Sequence, residues 1–377
     1  MKGPILIAGG GIGGLTAAIA LRRAGFDARV FERTAVIREL GAGIAIEPNA
    51  VLALRRIGLD GAVTAAGCIE ERLELRTAGG TLLACLRPRE LGIDVPFLSL
   101  HRAALQGVLL QALGGEGVHA GSDCVGYEAR PDGVTLRLRG GERVEGAVLV
   151  GADGLHSPVR EQLLGDGKPC YAGYTAWRAV TAENFAPRPA GSSETWGRGH
   201  RFGIVPIGHG RVYWYATSNA PRGGRDEPGV LRDSLLRVFG GWHAPIRDLI
   251  SATPENEILR TDILHRHPVR RWGEGRVTLL GDAAHPLTPN LGQGACLAIE
   301  DAVVLAECLQ IIPDPIVALR RYEALRRPRT AGIGRRALHL GWIGQWEAAP
   351  ACWLRDRLVK WTPQAFHCLQ MRKIFRF

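Results

Sequence analysis

The chain has 377 residues, 46% of them hydrophobic, and a formal charge of +10 in which nearly every basic residue is arginine. That length supports a sizeable core and two domains, and a basic surface suits anionic substrates, acidic partners, nucleic acid or membrane headgroups. The arginines are dispersed, with no zinc-finger spacing or basic zipper arm, which argues against sequence-directed nucleic-acid binding; the eight cysteines form no CxxC pair, so neither a disulfide framework nor a zinc site is expected.

The opening stretch enters a strand pattern at Ile5 rather than a basic, hydrophobic and cleavable leader, and no apolar run approaches the roughly 20 residues that span a bilayer. A reducing cytoplasm is the expected location. Ile5, Leu6 and Ile7 predict a strand, Leu15 to Arg23 a helix ending before Gly25, and Ala28 to Phe31 a second strand that ends at Glu32. Between them GxGxxG falls at Gly9, Gly11 and Gly14, with an acid 18 positions beyond the last glycine. Gly9 permits the tight turn, Gly11 lets a pyrophosphate approach the backbone and Gly14 lets helix pack on strand, while Glu32 accepts from a ribose diol. This reading says dinucleotide and leaves NAD and FAD both open.

From Gly41 a second glycine-rich turn leads to Pro48 and Asn49, which predict the start of a helix through Arg56. Leu73 to Arg76 and Thr81 to Cys85 read as a hairpin around Gly79 and Gly80. His101 and Arg102 open a helix with Leu105, Val108, Leu109 and Ala112 on its apolar side. Val134 to Arg139 and Val144 to Val150 read as strands, the second running into GADGLHSPVR, where Asp153 and Gly154 make a turn, Ser157 and Pro158 start a helix and Arg160 orients the loop. Aromatic residues then concentrate, from Tyr174 and Trp177 to Tyr213, Trp214 and Tyr215, in an alternating pattern that predicts a separate sheet with Tyr213 and Tyr215 on one face and Trp214 on the other. His265 and His267 lack companions for a metal, and no GxSxG elbow surrounds a serine.

The last informative stretch is VTLLGDAAHPLTPNLGQGACLAIEDA, residues 277 to 302. Leu291, Ala295, Ala298, Ala302, Leu305 and Leu309 recur at helical spacing, and Gly292 and Gly294 sit at that helix's start, where backbone N–H groups favour negative charge. Asp282 cannot attract a pyrophosphate. As an acceptor it fits the hydroxyls of a polyol linker, which FAD has in its ribityl chain and NAD lacks.

These three signatures, GGGIGG with Glu32, GADGLHSPVR and GDAAHPLTPNLGQG, resemble those of the p-hydroxybenzoate hydroxylase-like, single-component FAD monooxygenases, in the branch with salicylate hydroxylase, FAD-dependent urate hydroxylase and zeaxanthin epoxidase. The resemblance covers about residues 3 to 330. Together with the aromatic pattern it implies an α/β FAD-binding Rossmann-like domain, formed discontinuously by residues 1–72, 96–170 and 275–330. An α+β substrate domain with a mixed or antiparallel sheet would come from 73–95 and 171–274, and a C-terminal helical tail from 331–377.

By the same resemblance Gly9, Gly11 and Gly14 contact the FAD pyrophosphate, Glu32 the adenosine ribose, and Arg102 the phosphate and ribityl region, with Arg33 also in the cofactor set. Val125 also belongs to the cofactor set, Asp153 supports the pocket, and Asp282 takes the ribityl hydroxyls. Gly292, Gln293 and Gly294 bring backbone donors to the flavin pyrimidine edge, Pro289 sits near flavin and substrate, and Arg201 with Tyr213 resembles a substrate-side pair in urate-hydroxylating members. The implied activity is reduction of FAD by NADH or NADPH, reaction with O2 to a flavin hydroperoxide, and hydroxylation or epoxidation of an aromatic or conjugated organic substrate. Alternatives are an oxidase or dehydrogenase on the same scaffold, and a non-catalytic FAD-binding protein. The tail carries tryptophans at 342, 346, 353 and 361, and six basic residues against one acidic from Arg355 onward. Packing on the protein is expected of it ahead of peripheral membrane contact, and the chain is expected to be a monomer or homodimer.

Overall fold

Three parallel strands set the architecture of the computed structural model, which describes residues 3–36, 42–186 and 189–377. Ile5–Ala8 pairs with Val148–Gly151, which pairs in turn with Val277–Leu279. All three are buried and, apart from Thr278, carry no polar side chain, as a strand covered on both faces requires. Ala28–Glu32 and Val118–Ala120 extend the sheet in parallel on one side, and Gly273–Glu274 closes the other side antiparallel. Gly41, read as the start of the second glycine turn, lies outside the described residues.

The first helix runs Ile12–Arg23, three residues earlier than its apolar pattern alone predicts, and lies against Gln293–Ile311. Their approach depends on small residues. A Cβ on Gly13 would stand 2.8 Å from the Leu280 side chain and 3.2 Å from that of Ala298.

The strand expected over 144–150 is two strands. Arg143–Gly146 completes a three-stranded antiparallel sheet with Cys124–Ala129 and Val134–Leu138, and Val148–Gly151 enters the parallel sheet. The break has a steric cause: at Gly146 a Cβ would fall 2.5 Å from the Leu6 side chain, and the next amide, Ala147 N–H, bonds Pro4 O at 2.8 Å. The chain changes sheets where it crosses the first strand.

A seven-stranded mixed sheet follows in the order Leu259–His265, Cys170–Val180, Val212–Asn219, His200–Pro206, Ser192–Trp196, Leu73–Thr77, Leu82–Leu86. One face carries Trp214 and Phe202, stacked at 5.5 Å and covered by Leu231–Phe239 and Ile246–Ala252. By the period of two, Tyr213 and Tyr215 take the other face, toward the parallel sheet's loops. Beyond it, Pro315–Gly344 is a single helix with Pro328 inside, so the boundary expected between 330 and 331 falls within it. Ala349–Trp361 and Gln364–Phe375 complete the helical tail.

The long helix is bolted to the site by buried charge. Arg326 bonds Glu300 Oε2 and Asp301 Oδ1, each at 2.6 Å, and both carboxylates are fully buried. Asp301 also meets His285 Nε2 at 2.5 Å and accepts Gly281 N–H at 3.1 Å, and His285 and Arg326 hold its carboxyl at about 2 against the cost of burial. Replacing Arg326 by Met strands part of this negative charge in the interior, and urea denaturation is expected to show a loss of about 3 kcal/mol.

Candidate active site

Each of the three central strands ends in one of the sequence signatures. Gly9 follows Ala8, Ala152 and Asp153 follow Gly151, and Gly281 and Asp282 follow Leu279. Parallel alignment therefore delivers all three loops to the carboxyl edge of one sheet, where open α/β sheets bind ligands. Arg160 joins two of them: fully buried, it donates to Ala283 O and Ala284 O at 2.8 Å from the helix Pro158–Leu164, which Ser157 caps by accepting Arg160 N–H at 2.8 Å.

The glycines divide the work. Gly9 has φ +104, and a Cβ there would strike Ala152 O at 2.4 Å; a Cβ on Gly14 would strike Gly9 O at 2.0 Å. These two shape the turn and its packing. A Cβ on Gly11 would meet nothing within 4 Å, and Gly11 opens onto a cavity of about 1220 Å³. Glu32 lies behind the loop and accepts Gly10 N–H at 2.7 Å, Thr34 N–H at 2.9 Å and the Thr34 hydroxyl at 3.0 Å, which leaves one of a carboxylate's four acceptor sites open.

The same cavity is lined by Arg102, Asp282, Pro289, Gly292, Gly294, Arg201 and Tyr213. Asp282 faces its space; the surrounding protein raises the Asp282 carboxyl above its usual range, with His285 and Arg102 opposing. Burial lowers the Arg102 guanidinium while Asp282 favours its charge. Asp153 is raised by burial to about 6, accepts Val159 N–H at 3.3 Å through Oδ2 and leaves Oδ1 buried without a protein partner. An open glycine and a carboxylate facing the cavity suit a phosphate-bearing polyol ligand.

Seven of the expected cofactor residues do not line the cavity: Gly9, Gly14, Glu32 and Asp153, which lie within or behind the loops, and Arg33, Val125 and Gln293. Arg33 is exposed and acts through its charge on Asp153. Val125 is exposed on the three-stranded sheet. The Gln293 side chain turns inward, accepting Asn49 Nδ2 at 2.9 Å and donating to Glu47 and Asn49, so only its backbone belongs to the helix start.

Opposite the loops, the seven-stranded sheet presents Tyr213 and Tyr215, each ring seated on a glycine: a Cβ on Gly43 would meet Tyr213 at 2.5 Å, and one on Gly203 would meet Tyr215 at 2.0 Å. The Arg201 charge is already matched. Its Nε donates to Gln345 Oε1 at 2.7 Å, NH1 lies 3.4 Å from Glu194 Oε1, and the guanidinium stands 5.2 Å from the Tyr174 ring centroid. Glu194 also accepts the Tyr215 hydroxyl and, at 2.5 Å, Trp196 Nε1. Arg178 hydrogen-bonds Tyr213 and helps to offset the rise that burial imposes on that phenol.

Sequence reasoning missed Glu194, Arg178 and Glu47. Glu194 and Arg178 are ordinary alternating strand residues, and nothing in their spacing marks them. Glu47 precedes a legible helix start, Pro48–Arg56, yet its carboxyl comes within 2.8 Å of where a Gly292 Cβ would be, through a contact spanning 245 positions. Burial pushes its acid up to about 8.

A family described as FAD binding domain matches residues 2–337. Similar proteins include the aurachin C monooxygenase/isomerase of Stigmatella aurantiaca, 48% identical over 358 residues that cover 94% of this chain and 93% of the relative. The chloroplastic zeaxanthin epoxidase of Solanum lycopersicum is 39% identical over 358 residues, 87% of this chain and 53% of the relative, so the chain spans about half of that protein. Klebsiella pneumoniae HpxO, solved with FAD and uric acid, superimposes with a TM-score of 0.92 at 31% identity over 99% of this chain and 96% of that one.

Glu47 generates a pH test. Its folded value of about 8 lies above the ordinary 4.5, so between these values the folded chain holds a proton that the unfolded chain releases, and the group's contribution to stability falls as pH rises. Glu47→Gln removes that titration. Denaturation curves at pH 5 to 8 are expected to show the variant gaining on the parent as pH rises; a constant difference would mean that Glu47 ionises normally.

Proposed function

The chain belongs to the FAD-binding-domain family as a single-component FAD-dependent monooxygenase of aromatic or conjugated organic substrates, and from that membership we propose its residue roles, electron donor and substrate chemistry. The observation that carries the reading is one continuous cavity with the glycine loop, Asp282 and Gly294 on one wall and Tyr213, Tyr215, Glu194 and Arg201 on the other.

Bound FAD, given two electrons and O2, supplies one oxygen atom to the substrate. Gly11 and the start of helix Ile12–Arg23 would receive the pyrophosphate, Asp282 would accept ribityl hydroxyls, the remaining acceptor site of Glu32 would take the ribose, and Asp153 would support the turn at Gly9 from behind. Arg102 supplies positive charge beside Asp282, and backbone N–H groups from Gly292 to Gly294 meet the flavin edge where negative charge gathers on reduction. NADH or NADPH is the transient donor. Pro289 and the tyrosine face hold the substrate flat and exclude water from the oxygen transfer.

The substrate is a conjugated ring compound that donates an N–H or O–H to Glu194. Because Glu194 balances Arg201, the pocket suits a neutral ligand. Aurachin C heads the test panel on the strength of the relative that acts on it, with uric acid and zeaxanthin as comparators.

Anaerobic reduction by NADH and by NADPH across this panel, followed by labelled O2, is expected to place one labelled atom in a product. Peroxide alone with every compound would overturn the substrate assignment. Asp282→Ala is expected to raise the FAD Kd about tenfold, the scale of one lost hydrogen bond to a charged group. Glu194→Gln should raise the substrate KM and leave FAD retention unchanged.

A further inference from the structure

The helical tail has two unlike faces. Inward, Cys352, Cys368, Ile374 and Phe375 are buried, Arg355 NH2 donates to Gly197 O at 3.1 Å with its guanidinium 4.9 Å from the Trp196 ring centroid, and Phe375 meets Phe97 edge-on at 4.9 Å. This face satisfies the expectation that the tail packs on the protein.

Outward, Trp353 is 58% exposed and Trp361 66%, with Leu354 and Leu358 also exposed. On helix Ala349–Trp361 these positions fall within one sector of about 140°, at 100° per residue. Phe366 and Leu369 are exposed on the next helix, and Trp342 on the preceding one. Large apolar side chains scattered singly on a surface are ordinary; four that share one face of a single helix form a patch that marks an interaction site.

The charge on this patch chooses the partner. Arg357 lies between two of the rings, 5.0 Å from the Trp353 centroid and 5.7 Å from that of Trp361; Lys360 is exposed on the same helix, Lys373 on helix Gln364–Phe375, and Arg376 just past its end. The sole acidic residue from 349 to 377, Asp356, is paired with Arg355 at 2.9 Å. A second copy of this face would bring like charges together, and a wholly apolar partner would bury Arg357 and Lys360 without counter-charge. Indole rings interleaved with cations suit a surface that is apolar below and anionic above. Among the described residues no helix is long and apolar enough to cross a membrane, so the contact lies in the plane of the interface.

We propose that the outer face of the tail, centred on Trp353, Arg357 and Trp361, docks on the surface of an anionic lipid bilayer. The test sediments the FAD-loaded full chain with vesicles of phosphatidylcholine alone and of phosphatidylcholine mixed with phosphatidylglycerol. Binding is expected to be about tenfold stronger to the mixed vesicles, with a blue shift of tryptophan emission, and to weaken with salt. The double variant Trp353→Ser/Trp361→Ser should lose about tenfold or more of that binding, as should Arg357→Glu/Lys360→Glu, with thermal unfolding and FAD retention unchanged. Absence of vesicle binding by the parent chain, or undiminished binding by both variants, overturns the proposal. So does a dimer at sedimentation equilibrium that the tryptophan variant dissolves, since that assigns the face to a second copy.

Discussion

The site exists because three strands distant in the chain are hydrogen-bonded side by side. Ile5–Ala8, Val148–Gly151 and Val277–Leu279 share one direction and one edge, so their three loops converge whatever lies between them in sequence. That arrangement tolerates little bulk. Gly13 against Leu280 and Ala298, and Gly281 with 3.1 Å between a would-be Cβ and Ala298, bring the two helices and the distal turn into register. The seven-stranded sheet is inserted between these strands and returns its tyrosine face to the loops, making a two-walled cavity from segments that could not form it separately.

Behind the cavity runs a continuous set of polar contacts: Glu47, Gln293, Asn49, Glu300, Arg326, Asp301 and His285. Almost every member is buried, and each has a partner that fixes its orientation. Such a network costs desolvation and returns rigidity, since a half-satisfied member would be worse than an apolar one. Its place is significant. Gln293 and Gly292 stand at the start of the helix that meets the cavity, and Gly281 N–H is held by Asp301, so Asp282 and the glycines of the lining are positioned from behind.

Much of this could be read from residues alone, and for a physical reason. Glycines at Gly9, Gly11 and Gly14 report local backbone needs, and an apolar run before each loop reports a covered strand; both properties are written into consecutive positions. The alternation that put Tyr213 opposite Trp214 is likewise local. What escaped was set by distant partners. The strand that changes sheets at Gly146 is decided by Leu6 and Pro4, Gln293 is drawn inward by Asn49, and the charge of Arg201 is cancelled by Glu194 on a neighbouring strand. No spacing rule sees these pairings, because register between strands is a property of the sheet. The outer face of the tail was visible as tryptophans and arginines, but which side faced out depended on where Arg355 anchored.

Gln345, just past the end of the long helix, binds the seven-stranded sheet at several points. Its Oε1 accepts Arg201 Nε at 2.7 Å and the Thr217 hydroxyl at 3.0 Å, while its Nε2 donates to Asn219 Oδ1 at 2.7 Å and Gly199 O at 3.2 Å. Both ends of one amide are fully used, so neither a carboxylate nor a flipped amide could replace it. The pocket's cation is thereby aimed by a residue that lies outside the sheet. Anyone grafting this sheet face onto a related scaffold to transfer its selectivity would have to carry the helix end with it, because the recognition surface and its alignment are inherited from two different parts of the chain.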